Sequence, residues 1–315
     1  MTNKIREIKW REHVIYFIFT GIILLFSILL FDKGFLTGSN LMNIARQTAM
    51  ISIMAVGMTF VLAAEEIDLS FGAVVALASI ITAQVLRATG SIILAVIAGL
   101  VIGAVIGVIN GLFVAKVGIP SFLVTLGMSG IILGIARWVS HLQSIPINND
   151  VFTFIFGSGD IGSISVLFLW MLLAGVIGHI VLKKTPFGRK VLATGGNKIS
   201  ALYSGVKVSR MKLSVMVINS VLAAFAGILY AGRLHGARYT LGGNEVMIVI
   251  AAVIIGGTSM FGGKGSVIGS VIGALIMGIL NNGLILLGLS VDQQMIFRGL
   301  IIIIAVSLTM REKRG

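Results

Sequence analysis

Three carboxylates and a hydroxyl stand close together in Glu65-Glu66-Ile67-Asp68-Leu69-Ser70, followed by Gly72, with long apolar runs on either side. An ionisable group at membrane depth is expensive, so such groups are the first candidates for function. Asp68 lies with Ser70 and Gly72 at an expected helix break. There it could cap the following helix and satisfy freed backbone amides, or contact a solute. Glu65 and Glu66 could mark the cytoplasmic surface. With Asp68 and Glu245, they are also the groups that a proton- or sodium-driven carrier would use. Asn110, Asn219, Asn281 and Asn282 are neutral hydrogen-bonding groups that suit a polyhydroxylated solute and serve equally well as contacts between helices.

Other chemistries find little support. The chain has no cysteine, and its four histidines, His13, His141, His179 and His235, show no ligand spacing, so no metal site or cofactor is expected. ATP hydrolysis would need G-x-x-x-x-G-K-[ST]. The nearest segment, GTSMFGGKGS, has Thr258 where the first Gly belongs and Gly265 after Lys264 where a hydroxyl is required. It reads as a tight turn. The chain is expected not to be an enzyme, and energy for any transport must come from another subunit or an ion gradient.

The elements that hold these residues are set by composition. Of 315 residues 57% are hydrophobic and only 11% charged, against about 45–50% and about 25% in soluble proteins. With a mean hydropathy of +1.08, this is an all-α polytopic membrane protein, since helix-length apolar runs in lipid must satisfy their own backbone hydrogen bonds. Ten spans are expected, at about 14–31, 43–64, 70–87, 91–115, 121–140, 164–182, 213–232, 246–260, 266–287 and 295–310. The third and eighth are short or interrupted, which suits tilted or broken helices. One transmembrane domain, 1–315, should cover the chain, and the apolar run to Phe31 reads as an uncleaved anchor.

The formal charge of +13 sorts by topology. With both ends inside, 17 of the 24 Lys and Arg fall on cytoplasmic segments, so N-in and C-in is the expected orientation and nucleic acid is not an expected partner. Gly99 to Gly107 reads GLVIGAVIG and Gly265 to Gly273 reads GSVIGSVIG, seven of nine positions agreeing at an offset of 166. One run enters from outside and the other from inside, so spans two to five and seven to ten are expected to form an inverted repeat with a substrate path at its interface. Gly99, Gly103, Gly107 and Gly111, like Gly265, Gly269 and Gly273, lie four apart. That spacing serves close helix packing or leaves room along a solute path.

The longest expected cytoplasmic loop, 183–212, is basic and without acid. It contains a short helix-capable stretch from Lys198 to Ser204 that Asn197 could cap. By charge alone it is a lipid-facing basic loop or a docking platform. Four segments then carry a resemblance across most of the chain: Glu66-to-Gly72 (EIDLSFG), Lys116-to-Gly127 (KVGIPSFLVTLG), the Thr185-to-Lys212 loop, and Ile250-to-Ser266 (IAAVIIGGTSMFGGKGS). In this order they resemble the permease subunits of ribose-type ATP-binding-cassette (ABC) sugar importers. The resemblance implies a bacterial or archaeal cytoplasmic-membrane permease that pairs with a second permease subunit, ATPase subunits and an external solute-binding protein. It implies that the loop couples to the ATPase, through Gly188, Arg189, Gly195, Asn197, Ala201 and Gly205. Lys198 departs from the family, which commonly has an acid there.

Overall fold

The computed structural model describes the backbone of residues 2–311 and the side chains of residues 15–301 and 303. The terminal basic residues that enter the orientation count, Lys4, Arg6, Lys9, Arg11, Arg311, Lys313 and Arg314, lie outside the described side chains. Among the described residues thirteen α-helices run in chain order: α1 (Thr2–Leu29), α2 (Gly38–Ala63), α3 (Phe71–Thr89), α4 (Ile92–Leu112), α5 (Ser121–Ser140), α6 (Asp150–Thr153), α7 (Val166–Lys184), α8 (Pro186–Gly196), α9 (Lys198–Tyr203), α10 (Val208–Arg233), α11 (Glu245–Ile255), α12 (Val267–Leu286) and α13 (Val291–Arg311). Among the described residues seven, α2, α3, α4, α5, α7, α10 and α12, are long and apolar enough to cross a bilayer. Ile15–Leu29 and the 11-residue α11 are shorter apolar helices.

Local chemistry places the helix ends. Thr37, Ser91, Asn149, Ser165, Thr185, Asn197 and Ser266 each accept a backbone N–H of the first turn that follows. Gly90, at φ +67°, closes α3 in the left-handed conformation, which costs glycine nothing. Two short antiparallel ribbons, Ile145–Pro146 with Gly236–Ala237 and Asp160–Ile161 with Ile164–Ser165, are the strands among the described residues.

Helix α2 runs between two poles. Near its start Arg46 pairs with Asp160 and offers its carbonyl to Arg233 at the end of α10, while its last residue, Ala63, accepts the Gly263 amide. Helix α10 runs the opposite way, with Lys212 near the second pole and Arg233 near the first. Helix α4 is antiparallel to α10: Gly99 faces Ile228, and Gly111 faces Leu213. Helix α12 begins at the second pole, where Gly265 lies against Ala63, and Gly278 further on faces Thr48. Helix α3 climbs towards the first pole, where Thr82 lies beside Gly99, and α11 descends from Glu245 beside Tyr230 to Gly256 against Gly269. Each of α10, α11 and α12 therefore runs opposite to its counterpart among α2, α3 and α4.

The main core is shared by these helices. Ile53, Met54, Met58, Phe71, Val74, Ile80, Met216, Ile228, Leu229 and Val253 are among its fully buried side chains. Because lipid is as apolar as these side chains, tight packing and hydrogen bonds between helices hold them together. The sequence suits that: a methyl group added at Gly103 would stand 2.5 Å from Ala224 Cβ and 2.6 Å from the Ser220 carbonyl, and one at Gly107 would stand 2.6 Å from Val217 Cα.

Candidate functional site

Between α2 and α3 the chain leaves the helix for residues 64–70, all of them wholly or partly buried except Glu65. Glu65 takes φ +63°, the position where glycine usually ends a helix, and the amides of Glu65 and Glu66 turn back to the carbonyls of Leu62 and Val61. The remaining amides of a non-helical segment must find partners, since each left unpaired in an apolar surround is costly. Ser121 Oγ accepts from Ile67 N and Thr125 Oγ1 from Leu69 N, both at 3.0 Å. These two hydroxyls lie one turn apart on α5, so α5 supplies the ladder that the segment lacks.

Asp68 is fully buried. Its Oδ1 accepts from Ser70 N at 2.8 Å and from Ser70 Oγ at 2.6 Å, and its Oδ2 accepts from Asn219 Nδ2 at 2.9 Å. Asn110 Nδ2 donates to Ser70 Oγ at 2.9 Å, which brings in α4. Four of the sequence candidates, Asp68, Ser70, Asn110 and Asn219, therefore form one buried network joining the break to α4 and α10. Asp68 closes the turn ahead of α3, whose N-cap residue is Ser70. The Oδ1 atoms of Asn110 and Asn219 are buried without a partner among the described residues, and a methyl group at Gly57 would meet that of Asn219 at 2.7 Å.

Glu245 stands apart from this network, in the first turn of α11, 3.5 Å from the Tyr230 hydroxyl. Asn282 forms a reciprocal amide pair with Asn40 at 2.9 and 3.0 Å, fastening α12 to the start of α2. Glu66 is 5% exposed and ion-paired with Lys212, whereas Glu65 is exposed. Ser121, Thr125 and the Glu66–Lys212 pair were not singled out by sequence reasoning. The spacing of Ser121 and Thr125 on one helix face was the available signal, but nothing in the sequence pointed that face at residues 67 and 69.

The GTSMFGGKGS segment is a tight turn: Ser259 N donates to the Lys264 carbonyl, and Gly262 and Gly263 take φ +73° and +75°. It touches the polar loop, since a side chain at Gly262 or Gly263 would run into Gly195 or Gly196. That loop holds two helices. Thr185 caps α8 and Pro186 opens it; Asn197 ends α8 and caps α9, its Oδ1 accepting from Ser200 N at 2.9 Å. Gly188 lies against the Leu182 carbonyl and Gly195 against that of Ala63. Phe187 packs on Phe60, with ring centroids 6.3 Å apart, so α8 is seated on the end of α2. Ala201 is buried, Arg189 and Asn197 are exposed, and Gly205 turns the chain at φ +78°. Beyond α8, α9 displays Ile199, Leu202 and Tyr203, the last 90% exposed.

Comparison with known proteins gives this geometry a context. The family model described as branched-chain amino acid transport system / permease component matches residues 40–306, from α2 into α13. The chain belongs to that family. The permease is 41% identical over 296 residues to the ribose import permease protein RbsC of Bacillus subtilis, covering 93% of this chain and 92% of that protein. It is 36% identical over 300 residues to the D-allose transport system permease protein AlsC of Escherichia coli, covering 95% and 91%. It is 35% identical over 294 residues to the L-arabinose ABC transporter permease protein AraH of Azospirillum brasilense, covering 91% and 86%. No solved structure matches. With its apolar helices, the family makes this permease a multi-pass integral membrane protein.

Proposed function

We propose that this chain is the permease subunit of an ABC importer that carries a monosaccharide of the ribose, arabinose or allose kind across the bacterial cytoplasmic membrane. The observation that carries the proposal is its likeness, over more than nine-tenths of its length, to the ribose import permease of Bacillus subtilis. The chain itself makes and breaks no covalent bond. A separate ATPase supplies the energy, an external binding protein delivers the sugar, and a second permease subunit completes the path.

In this reading 1–315 is one transmembrane domain of ten crossings with both ends in the cytoplasm. The opposite senses of α2–α4 and α10–α12 support an inverted repeat, the arrangement that lets one half rock against the other. The glycine faces of α4 and α12 act as close-packing surfaces. The cytoplasmic loop 183–212 is the coupling element: α8, fitted by Gly188 and Gly195 against the helix ends, holds α9 out, and Ile199, Leu202 and Tyr203 offer the ATPase an apolar anchor with Arg189 nearby in the loop. Asn197 and Gly205 mark the limits of the lever, and Ala201 seats it. The network of Asp68, Ser70, Asn110 and Asn219 maintains the break beside the path, and Glu245 faces the outer half.

The test is reconstitution. The chain with its ATPase and binding protein in proteoliposomes should take up one of ribose, arabinose or allose only when ATP is supplied. Uptake by the chain alone, driven by a proton or sodium gradient, would replace this proposal with that of an ion-coupled carrier.

A further inference from the structure

We infer that the Glu66–Lys212 ion pair is the contact that carries movement of the α8–α9 loop into the non-helical segment 64–70, so that these two residues govern how tightly ATP hydrolysis is coupled to sugar passage. This rests on the importer reading above.

The path can be followed atom by atom. Helix α9 ends at Tyr203, and the connection to α10 is held by its own hydrogen bonds: Val206 N to the Ala201 carbonyl, Val208 N to that of Val206, and Met211 N to that of Lys207. A turn so bonded passes displacement of α9 to the first turns of α10, where Lys212 lies. Lys212 pairs with Glu66, whose side chain is 6% exposed against 20% for the lysine. Shielded from water, the pair is little screened by salt and holds its geometry.

Seven residues further along α10, Asn219 holds Asp68. Two turns of helix rise about 10 Å, so the segment is tied to α10 at two levels, through residues 66 and 68. Its outer side is pinned to α5 through Ser121 and Thr125. With no helical ladder of its own, the segment is held by these side-chain anchors together with the end of α2, on which Gly195 of α8 rests. Of the side-chain anchors, the Glu66–Lys212 pair lies nearest the loop. The other ion pair among the described residues, Arg46–Asp160, is half-exposed at the opposite pole. Glu66 and Lys212 are thus positioning residues, acting on the path through Asp68 and α5.

The experiment uses the full complex in proteoliposomes and reads ATP hydrolysed per sugar taken up, with the melting temperature of each variant beside it. Removing one partner would strand a buried charge, so the informative variant removes both, Glu66→Gln with Lys212→Met. It should assemble, hydrolyse ATP and lose coupling by roughly 2- to 30-fold, the range seen when residues on a coupling route are altered. The exchange Glu66→Lys with Lys212→Glu should restore the ratio. An unchanged ratio in the neutral double variant, or a lost ratio that the exchange does not restore, would overturn the inference while the wild-type complex still imports sugar. Failure of the wild-type complex itself to show ATP-driven uptake would overturn the importer reading, and the inference with it.

Discussion

Asn219 donates its side-chain amide to Asp68 at 2.9 Å across 151 residues of sequence. This contact joins the middle of α10 to the break between α2 and α3. Asp68 serves three donors at once, the backbone and hydroxyl of Ser70 and the amide of Asn219, all within the buried interior.

Asp68→Ala should therefore be among the most destabilising single changes in the permease. It leaves three buried donors without an acceptor, at about 1–3 kcal/mol each. A fall in the melting temperature of the detergent-purified protein is expected, with a smaller fall for Asn110→Ala, which takes one donor from the Ser70 hydroxyl and leaves Asp68 its partners. Equal melting temperatures for wild type and Asp68→Ala would show that the network is not a structural support.

Glycines of similar spacing should separate sharply. Gly107→Val forces a branched side chain into the backbone of α10 at Val217, an overpacking that costs about 1–3 kcal/mol. Gly130 lies in α5 with nothing within 4 Å of a would-be methyl group. There Gly130→Ala should gain up to about 1 kcal/mol of helix propensity in the isolated subunit. Thermal denaturation of the two variants checks the contrast.

The display of α9 predicts loss of partner binding without loss of fold. Tyr203→Ala, at a 90% exposed position, should leave the melting temperature unchanged and weaken capture of the ATPase by about 2 kcal/mol or more, as aromatic anchors do at interfaces. Gly205→Trp has open space at its Cβ but must hold φ +78°, a cost of about 1–2 kcal/mol, so it should insert normally and capture less ATPase. Co-purification of the ATPase with each variant measures both effects. Undiminished capture by both would place the docking surface elsewhere.

Sidedness can be read without a background, because the chain has no cysteine. Tyr203→Cys should react with an impermeant maleimide only after the membrane is opened, and Asp150→Cys should react in intact cells. Labelling of both from the same side would contradict a loop at the cytoplasmic pole.

Most of the fold is legible because its signals are local. Apolar runs of helix length mark α2, α3, α4, α5, α7, α10 and α12. Asn197 as a cap and the glycines around it mark α9, since a cap needs only its own first turn. Asp68 and Ser70 were visible as an unusual polar pair in an apolar setting. Asn219 as the partner of Asp68, and Ser121 and Thr125 as partners of the residue 67 and 69 amides, were harder to assign, because a serine, threonine or asparagine on a membrane helix can turn back to its own carbonyl, as Thr125 also does towards Ser121. The pairing of Glu66 was hidden for a related reason. It follows an exposed Glu65 directly, and the left-handed turn at Glu65 directs the two side chains differently.

The sequence by itself determined that this is a helical membrane protein, where its long helices lie, which segment is basic and glycine-bounded, and which family its motifs resemble. Those properties follow from the free energy of placing each residue type in lipid or water, a sum over neighbours along the chain. Tertiary structure alone decided that Glu66 meets Lys212, that α5 satisfies the amides of residues 67 and 69, and that the glycines of α4 face α10 while those of α12 face α11 and α2. Such pairings depend on how helices rotate and stack against one another. In lipid no difference in apolarity between neighbours fixes that choice, so shape and a few hydrogen bonds make it.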